Sequence, residues 1–133
     1  MMATAMSDIR ATTVSRLYAD NFGESRFETV TVPLSEKDFA PPSAPVYCAD
    51  AQPARHYVIL ELPVDWGGAQ PHPTPGRHML FCLAGRFRVT ASSGETRSFA
   101  AGDCLLMEDT SGKGHITEVT SAPAAKAVMI RLA

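Results

Sequence analysis

GGAQPHPTPGRHMLFCLAG (67–85) and GDCLLMEDTSGKGH (102–115) are the two segments that decide the fold of this chain. Three of its four histidines lie in them, at His72, His78 and His115. Glycines end the first segment and open the second, and the alternating residues between them form a hairpin with the turn Ser-Ser-Gly-Glu. In a small β-barrel built this way, each of the three histidines would point into the mouth of the barrel.

Short strands and tight turns make up the rest of the chain as well. Ten prolines and nine glycines interrupt the sequence at short intervals, as such turns require. The best helical candidate, Glu36 to Phe39, is one turn at most, because two prolines follow it. Strands are predicted at 15–19, 26–34, 45–49, 55–62, 77–84, 86–91, 96–100, 104–109, 115–120 and 126–133. So many short strands indicate a sandwich or a barrel.

The composition is that of one soluble globular domain. With 133 residues, 45% of them hydrophobic and 20% charged, the chain is long enough to bury one core. We expect residues 1–12 to be a flexible N-terminus and residues 13–133 to be a single domain. The net charge of −2 leaves no basic stripe to neutralise phosphates, so the sequence predicts no nucleic-acid partner.

Cysteine usage and hydropathy predict a cytoplasmic protein. The three cysteines cannot all pair and form no CxxC motif, and Cys82 and Cys104 lie in apolar segments, so reduced core thiols are expected. No apolar run approaches the roughly 20 residues that a membrane helix needs, so no membrane partner is predicted. The first residues, with an early Asp8 and no apolar stretch, do not resemble a signal peptide.

The two segments resemble the paired motifs of the cupin superfamily, and in particular its small single-domain members. In the first cupin motif, two histidines and a glutamate precede a final glycine at fixed spacing. Gly85 matches that glycine, and His78 falls in the glutamate position. His72 falls in the first histidine position and Thr74 in the second.

The second cupin motif is matched at its ends. Gly102 matches its opening glycine, and His115 matches its histidine if the loop is slightly longer than usual. Glu108 and Val119 stand where proline and asparagine are common. The string EDTSGKGH (108–115) is similar to a subgroup of small, mostly uncharacterised bacterial cupins.

The resemblance implies an all-β fold, the double-stranded β-helix or jelly-roll barrel, with N-terminal strands that pack outside it. It also implies a divalent metal ion held by His72, His78 and His115, which would be iron, zinc, manganese, nickel or copper. Three protein ligands would leave positions open for water or substrate. Strand alternation agrees in part, since His78 shares one face with Leu80 and Cys82.

Other interpretations of these histidines stay open. Thr74 is not a strong metal ligand, and the prolines around His72 fix its loop and could aim the ring elsewhere. The barrel would then bind its ligand without a metal. His56 alternates with Val58 and Leu60, so it either faces the cavity or caps the start of its strand.

Three further side chains are candidates for the chemistry. Glu108 shares a face with Leu106; facing inward it would be a general base whose pKa burial raises, and facing outward it would be a solvated charge. Arg77 is either a carboxylate clamp at the rim or a solvated surface arginine. Cys82 is either a nucleophile or, as we favour, a buried structural thiol.

The function expected from the resemblance is the binding and transformation of a small organic molecule inside the barrel, with His78, His115 and Glu108 as catalytic side chains. Isomerase, epimerase, lyase, cyclase or oxygenase chemistry is compatible with it, and non-redox chemistry is favoured because the cupin ligand set is incomplete. The alternatives are a metal-free binding or sensing protein and, least favoured, a structural protein that uses its surface alone.

The apolar side chains of Met79, Phe81 and Leu83 lie on the other face of their predicted strand and need cover. The resemblance implies that a second subunit supplies it, so a homodimer is expected. The alternative is that the N-terminal strands of the same chain cover this face.

Overall fold

The structure is a computed structural model, and it describes residues 10–68 and 70–133. Across these ranges the chain forms ten strands and no helix. The strands are β1 (Arg10–Ala19), β2 (Ser25–Lys37), β3 (Val46–Cys48), β4 (Ala54–Leu62), β5 (His78–Ala84), β6 (Arg86–Ala91), β7 (Thr96–Ala100), β8 (Cys104–Glu108), β9 (His115–Val119) and β10 (Ala125–Leu132). Every strand predicted from the sequence is therefore present.

Two sheets form the barrel, and the chain alternates between them. The larger sheet has the order β3-β2-β1-β8-β5-β10-β4, and the smaller has the order β7-β6-β9. Residues near Gly67 and His72 extend the smaller sheet, because they bridge to Glu118 and His115 of β9. If this extension is counted as a strand, the chain from β4 onward contributes four strands to each sheet. The two sets of four strands face each other, which is the jelly-roll arrangement. This confirms the predicted all-β double-stranded β-helix.

The N-terminal strands lie outside the eight-strand barrel and lengthen its larger sheet. β1 pairs antiparallel with β2 and parallel with β8. β1 begins at Arg10, so residues 10–12 belong to a strand and not to the flexible N-terminus that we expected; the rest of that segment, 1–9, lies outside the described residues. The predicted helical turn is also wrong, because Glu36 and Lys37 pair with β3 instead.

The core lies between the two sheets and follows the period-2 alternation of the strands. From the larger sheet, Leu17, Leu80 and Leu105 point inward and are almost fully buried. From the smaller sheet come Phe87 and Phe99, whose rings stack at 5.3 Å between centroids. Burial of this apolar surface is the main force that holds the two sheets together.

The opposite face of the larger sheet is apolar and open. Leu83 is 51% exposed, and Met79 and Phe81 are only partly buried. A cavity of about 620 Å³ lies on this face, bordered by the segment before β4, including Asp50. β1 and β2 extend the larger sheet beside β8 and do not pack over this face. The alternative, in which the N-terminal strands of the same chain cover the face, therefore does not describe their position.

In the described ranges no helix is long and apolar enough to cross a membrane.

Candidate functional site

The candidate site forms where the loop before β5 meets the start of β9. His72 and His115 exchange two backbone hydrogen bonds, of 3.1 Å and 3.0 Å. Gly114 makes this approach possible: a Cβ there would lie 2.0 Å from the backbone carbon of His72, and its φ of +76° also suits glycine. A glycine that the sequence shows only as part of a loop therefore brings the two histidines together.

A buried chain of three polar side chains lies beneath this contact. Thr74 donates its hydroxyl to Oδ1 of Asp109 at 2.7 Å, and Oδ2 of Asp109 lies 2.5 Å from Nδ1 of His115. All three side chains are at most 2% exposed. The backbone N–H of Thr74 also donates to the carbonyl of Asp109, at 2.9 Å. Asp109 accordingly fixes the imidazole of His115 with its proton on Nδ1, which leaves Nε2 to accept a hydrogen bond.

His72 completes one side of this group. Its ring centroid lies 5.1 Å from that of His115, with the two planes inclined at 55°. Unlike His115, His72 is exposed, and its Nδ1 lies 3.1 Å from the carbonyl oxygen of Pro73. The structure thus brings together two of the three histidines that the resemblance implies as metal ligands.

His78 lies on β5, a strand of the larger sheet. It faces inward from β5, as predicted, but its register neighbours are Arg131 on β10 and Met107 on β8. Its Nδ1 lies 2.9 Å from the carbonyl oxygen of Gly76. Within residues 10–68 and 70–133, no three histidine, cysteine, aspartate or glutamate side chains come together as metal ligands. The described side chains therefore do not bring the three implied ligands together as they stand, and the metal ion stays a prediction.

Glu108 faces outward from the larger sheet. Its two carboxylate oxygens bind Arg16 and Arg77, each at 2.5 Å. Burial by itself raises the pKa of Glu108, but the two guanidinium groups outweigh it and the pKa is lowered. This is the outward alternative, with a firmly ionised carboxylate in place of a general base of raised pKa. It also gives Arg77 a structural partner.

Cys82 points into the core and is 2% exposed. Burial raises the pKa of its thiol, which disfavours the reactive thiolate. This environment agrees with the structural role that we favoured. His56 occupies an exposed position on β4, directly opposite Arg131.

Sequence reasoning missed Asp109 as the partner of His115, and it missed Arg131 altogether. The signal for Asp109 was present, because Leu105, Met107 and Asp109 continue one alternation and the first two are core residues. The same alternation marked Arg131 as inward-facing, because Ala125, Ala127 and Arg131 share one face of β10 and the first two are core residues, but the neighbours of Arg131 come from distant parts of the sequence.

Two cavities of substantial volume lie away from the histidines. The cavity of about 620 Å³ is on the outer face of the larger sheet. Another, of about 330 Å³, lies between β1 and β7 beside Arg97. Neither is lined by a histidine. Along the edge strand β4, the inward-facing Val58 is 50% exposed, so the inner surface of the larger sheet is accessible to solvent on this open side.

Comparison with known proteins adds little beyond the fold. No family model and no curated protein matches the chain. Among solved structures, the Cnp3 cupin domain of Schizosaccharomyces pombe is 14% identical, covering 95% of this chain and 88% of its own, with a TM-score of 0.46. Protein NMB1881 from Neisseria meningitidis is 19% identical over 62% of this chain and 81% of its own, with a TM-score of 0.43.

A third similar structure is described as an ethanolamine utilization protein Q from Salmonella typhimurium. It is 14% identical over 93% of this chain and 96% of its own, with a TM-score of 0.38. Similarities of this strength say nothing about function. The jelly-roll assignment rests on the strand order of this chain itself.

Proposed function

We propose that this chain binds a small organic molecule in the open side of its barrel and that His115 exchanges a proton with it. The observation that carries the proposal is the buried Thr74–Asp109–His115 chain. A carboxylate held against Nδ1 orients an imidazole and stabilises its protonated form, which is how histidine serves as a general base and acid. Non-redox proton-transfer chemistry, of an isomerase, epimerase or lyase, suits this group best.

The geometry favours this role for His115 over the other predicted catalytic side chains. Glu108 is neutralised by two arginines on the outer face. His78 has no carboxylate partner among the described residues, and it bonds to a backbone carbonyl. Among the histidines, and counting only described partners, His115 alone combines an inward position with an orienting carboxylate.

A deuterium-exchange assay tests the proposal. In deuterated water, a base that removes a proton next to a carbonyl group returns a deuteron from solvent, with no net oxidation or reduction. Small ketones and keto acids are incubated with the protein, and deuterium incorporation is followed by NMR. Replacing a positioned acid–base group costs roughly 10²–10⁴-fold in rate, so His115→Gln should abolish most of the exchange.

Asp109→Asn is the matched variant, since it keeps the shape of the side chain but removes the charge that orients His115. Its exchange rate should fall between those of the wild type and His115→Gln. Circular dichroism checks that both variants are folded. Exchange that continues unchanged in folded His115→Gln would overturn the proposal.

Metal binding is tested separately, because the resemblance implies it and the described residues do not assemble the three ligands. Elemental analysis of protein purified without a histidine tag compares the wild type with His115→Ala. The metal-free form of the proposal predicts far less than one divalent ion per chain in both proteins. A nearly stoichiometric ion that is lost in the variant would contradict it.

We also propose that a second copy of this chain covers the outer face of the larger sheet. Phe81, Leu106 and Ile130 line the apolar cavity there. A two-fold axis would set this apolar surface against the same surface of the second copy and so remove both from water. Phe81→Glu should convert a dimer to a monomer in analytical ultracentrifugation. A wild type that is monomeric at high concentration would refute this.

A further inference from the structure

A row of three basic side chains crosses the inner face of the larger sheet. In register, His56 of β4 lies opposite Arg131 of β10, and Arg131 lies opposite His78 of β5. Directly opposed residues on neighbouring antiparallel strands have Cβ atoms about 4.5–5.5 Å apart. We call these three residues the inner row. It continues into the apolar core at Met107, the register neighbour of His78.

Arg131 has no carboxylate partner among the described residues, a property that it shares with Arg10, Arg55, Arg86 and Arg97, but among the described side chains its Nε alone is a buried nitrogen or oxygen without a hydrogen-bond partner. Arg16, Arg26 and Arg88 each form an ion pair with an acidic side chain. The guanidinium of Arg131 donates only to the carbonyl oxygen of Pro75, at 2.8 Å, and its Nε is buried without a partner in the described chain. A buried donor and an uncompensated charge both cost free energy unless something else compensates them.

The backbone around Gly76 is shaped to hold this guanidinium. A Cβ at Gly76 would lie 2.1 Å from Cζ of Arg131, so any side chain there would occupy the same space. Gly76 has a φ of +86° and its carbonyl oxygen lies 2.9 Å from Nδ1 of His78. One short loop thus fixes two members of the inner row, although neither receives a negative charge from it.

The inner row and the proposed acid–base group lie on either side of this same loop. Thr74 binds Asp109, and the next residue, Pro75, accepts the hydrogen bond of Arg131. Consecutive Cα atoms are about 3.8 Å apart, so the two groups flank a common part of the barrel end. Asp109, an acidic side chain on the other flank of this loop, is already engaged by Thr74 and His115.

From these observations we infer that Arg131, flanked by His56 and His78, binds the carboxylate of the molecule that enters the barrel. A guanidinium matches the planar, two-oxygen geometry of a carboxylate, and neutral or protonated imidazoles can donate to the same oxygens. The inference adds a substrate class, small organic carboxylates, to the proposed function and rests on it only in placing the ligand at this end of the barrel.

NMR titration of the wild-type protein with propionate and with propionamide tests the inference directly. The two probes have the same size and differ in charge. Propionate should shift the Nε–H resonance of Arg131, which Arg131→Lys serves to assign, and propionamide should not. Equal shifts with both probes, or a larger effect of inorganic phosphate than of propionate, would overturn the assignment to carboxylates.

Variants then locate the site. Arg131→Gln should weaken propionate binding by at least about tenfold, since a charge-assisted pair is lost. Arg88→Gln is the matched control. Arg88 pairs with Glu118 on an exposed surface, so this variant should bind propionate as the wild type does. If Arg131→Gln does not fold, His56→Gln provides the second variant at an exposed strand position, with a smaller loss expected. Unchanged binding in the folded inner-row variants would contradict the site.

The two proposals fail in different ways. If propionate binds at Arg131 but no carbonyl compound exchanges deuterium, the proposal of proton transfer by His115 is contradicted and the carboxylate site is not. Exchange that depends on His115 but proceeds equally with neutral ketones and keto acids, and equally in Arg131→Gln, would contradict the carboxylate site alone.

Discussion

Replacing Gly114 with alanine should lower the free energy of unfolding more than replacing Gly94, a glycine of the hairpin turn, with alanine. Both Gly114 and Gly94 have left-handed backbones, with φ of +76° and +95°. An alanine in such a conformation costs roughly 1–2 kcal/mol. At Gly94 nothing lies within 4 Å of the new Cβ, so the free energy of unfolding should fall by about that amount and no more.

At Gly114 the same change adds a collision with backbone atoms. The new Cβ would lie 2.0 Å from the carbonyl carbon of His72, where an ordinary contact begins at 3.4 Å, so the loop must retreat by the difference of about 1.4 Å. That movement breaks the two backbone hydrogen bonds between His72 and His115. Each such bond contributes about 1 kcal/mol, so the total loss should be about 3–4 kcal/mol.

Thermal and urea unfolding of the two variants measure the difference. For a chain of this size, 1 kcal/mol corresponds to about 3–4 °C in Tm, so Gly94→Ala should lose roughly 4–7 °C and Gly114→Ala roughly 10–15 °C. Equal losses in the two variants would refute the argument that the approach of the His72 loop requires Gly114.

Two further predictions concern ionisable groups. Because the pKa of Glu108 is lowered in the folded state, its carboxylate stabilises the fold above its unfolded-state pKa, and this contribution is lost as the pH falls through the folded-state pKa. The free energy of unfolding of Glu108→Gln should therefore be lower than that of the wild type by on the order of 1 kcal/mol at neutral pH. Urea titrations between pH 7 and pH 3 should show this difference closing, and a difference that widens in acid would contradict the ion pairs. Because burial raises the pKa of the Cys82 thiol, iodoacetamide at neutral pH should label Cys82 only in urea. The half-buried Cys48 is the internal control for labelling of the folded protein. Rapid labelling of Cys82 in the folded protein would contradict its burial.

The fold could be predicted because its signals are local. Alternation and glycine- or proline-rich turns define each strand within a few residues, and all ten predicted strands are present. Alternation also predicted correctly that His78 shares a face with Leu80 and Cys82. β1 begins at Arg10, before the boundary expected at residue 12, because its first residues pair with the long β2, a contact that local sequence does not encode.

The site could be predicted only in part because it depends on register between distant strands. Alternation showed that Glu108 and Leu106 share a face but could not tell which face is inward. Motif spacing placed His72, His78 and His115 in one constellation, whereas pairing in the larger sheet sets His78 opposite Arg131. Whether these histidines bind a metal stays a prediction.

The position of β4 in the sheet has a consequence for how the chain folds. Its single hydrogen-bonded neighbour in the described sheet is β10, which follows more than sixty residues later; Leu62 pairs with Ala125. Contacts this distant in sequence close large loops and slow the search for the native state. Until β10 is in place, the apolar residues Tyr57, Val58 and Ile59 have no sheet partner, so refolding at high protein concentration should favour association between chains through this strand.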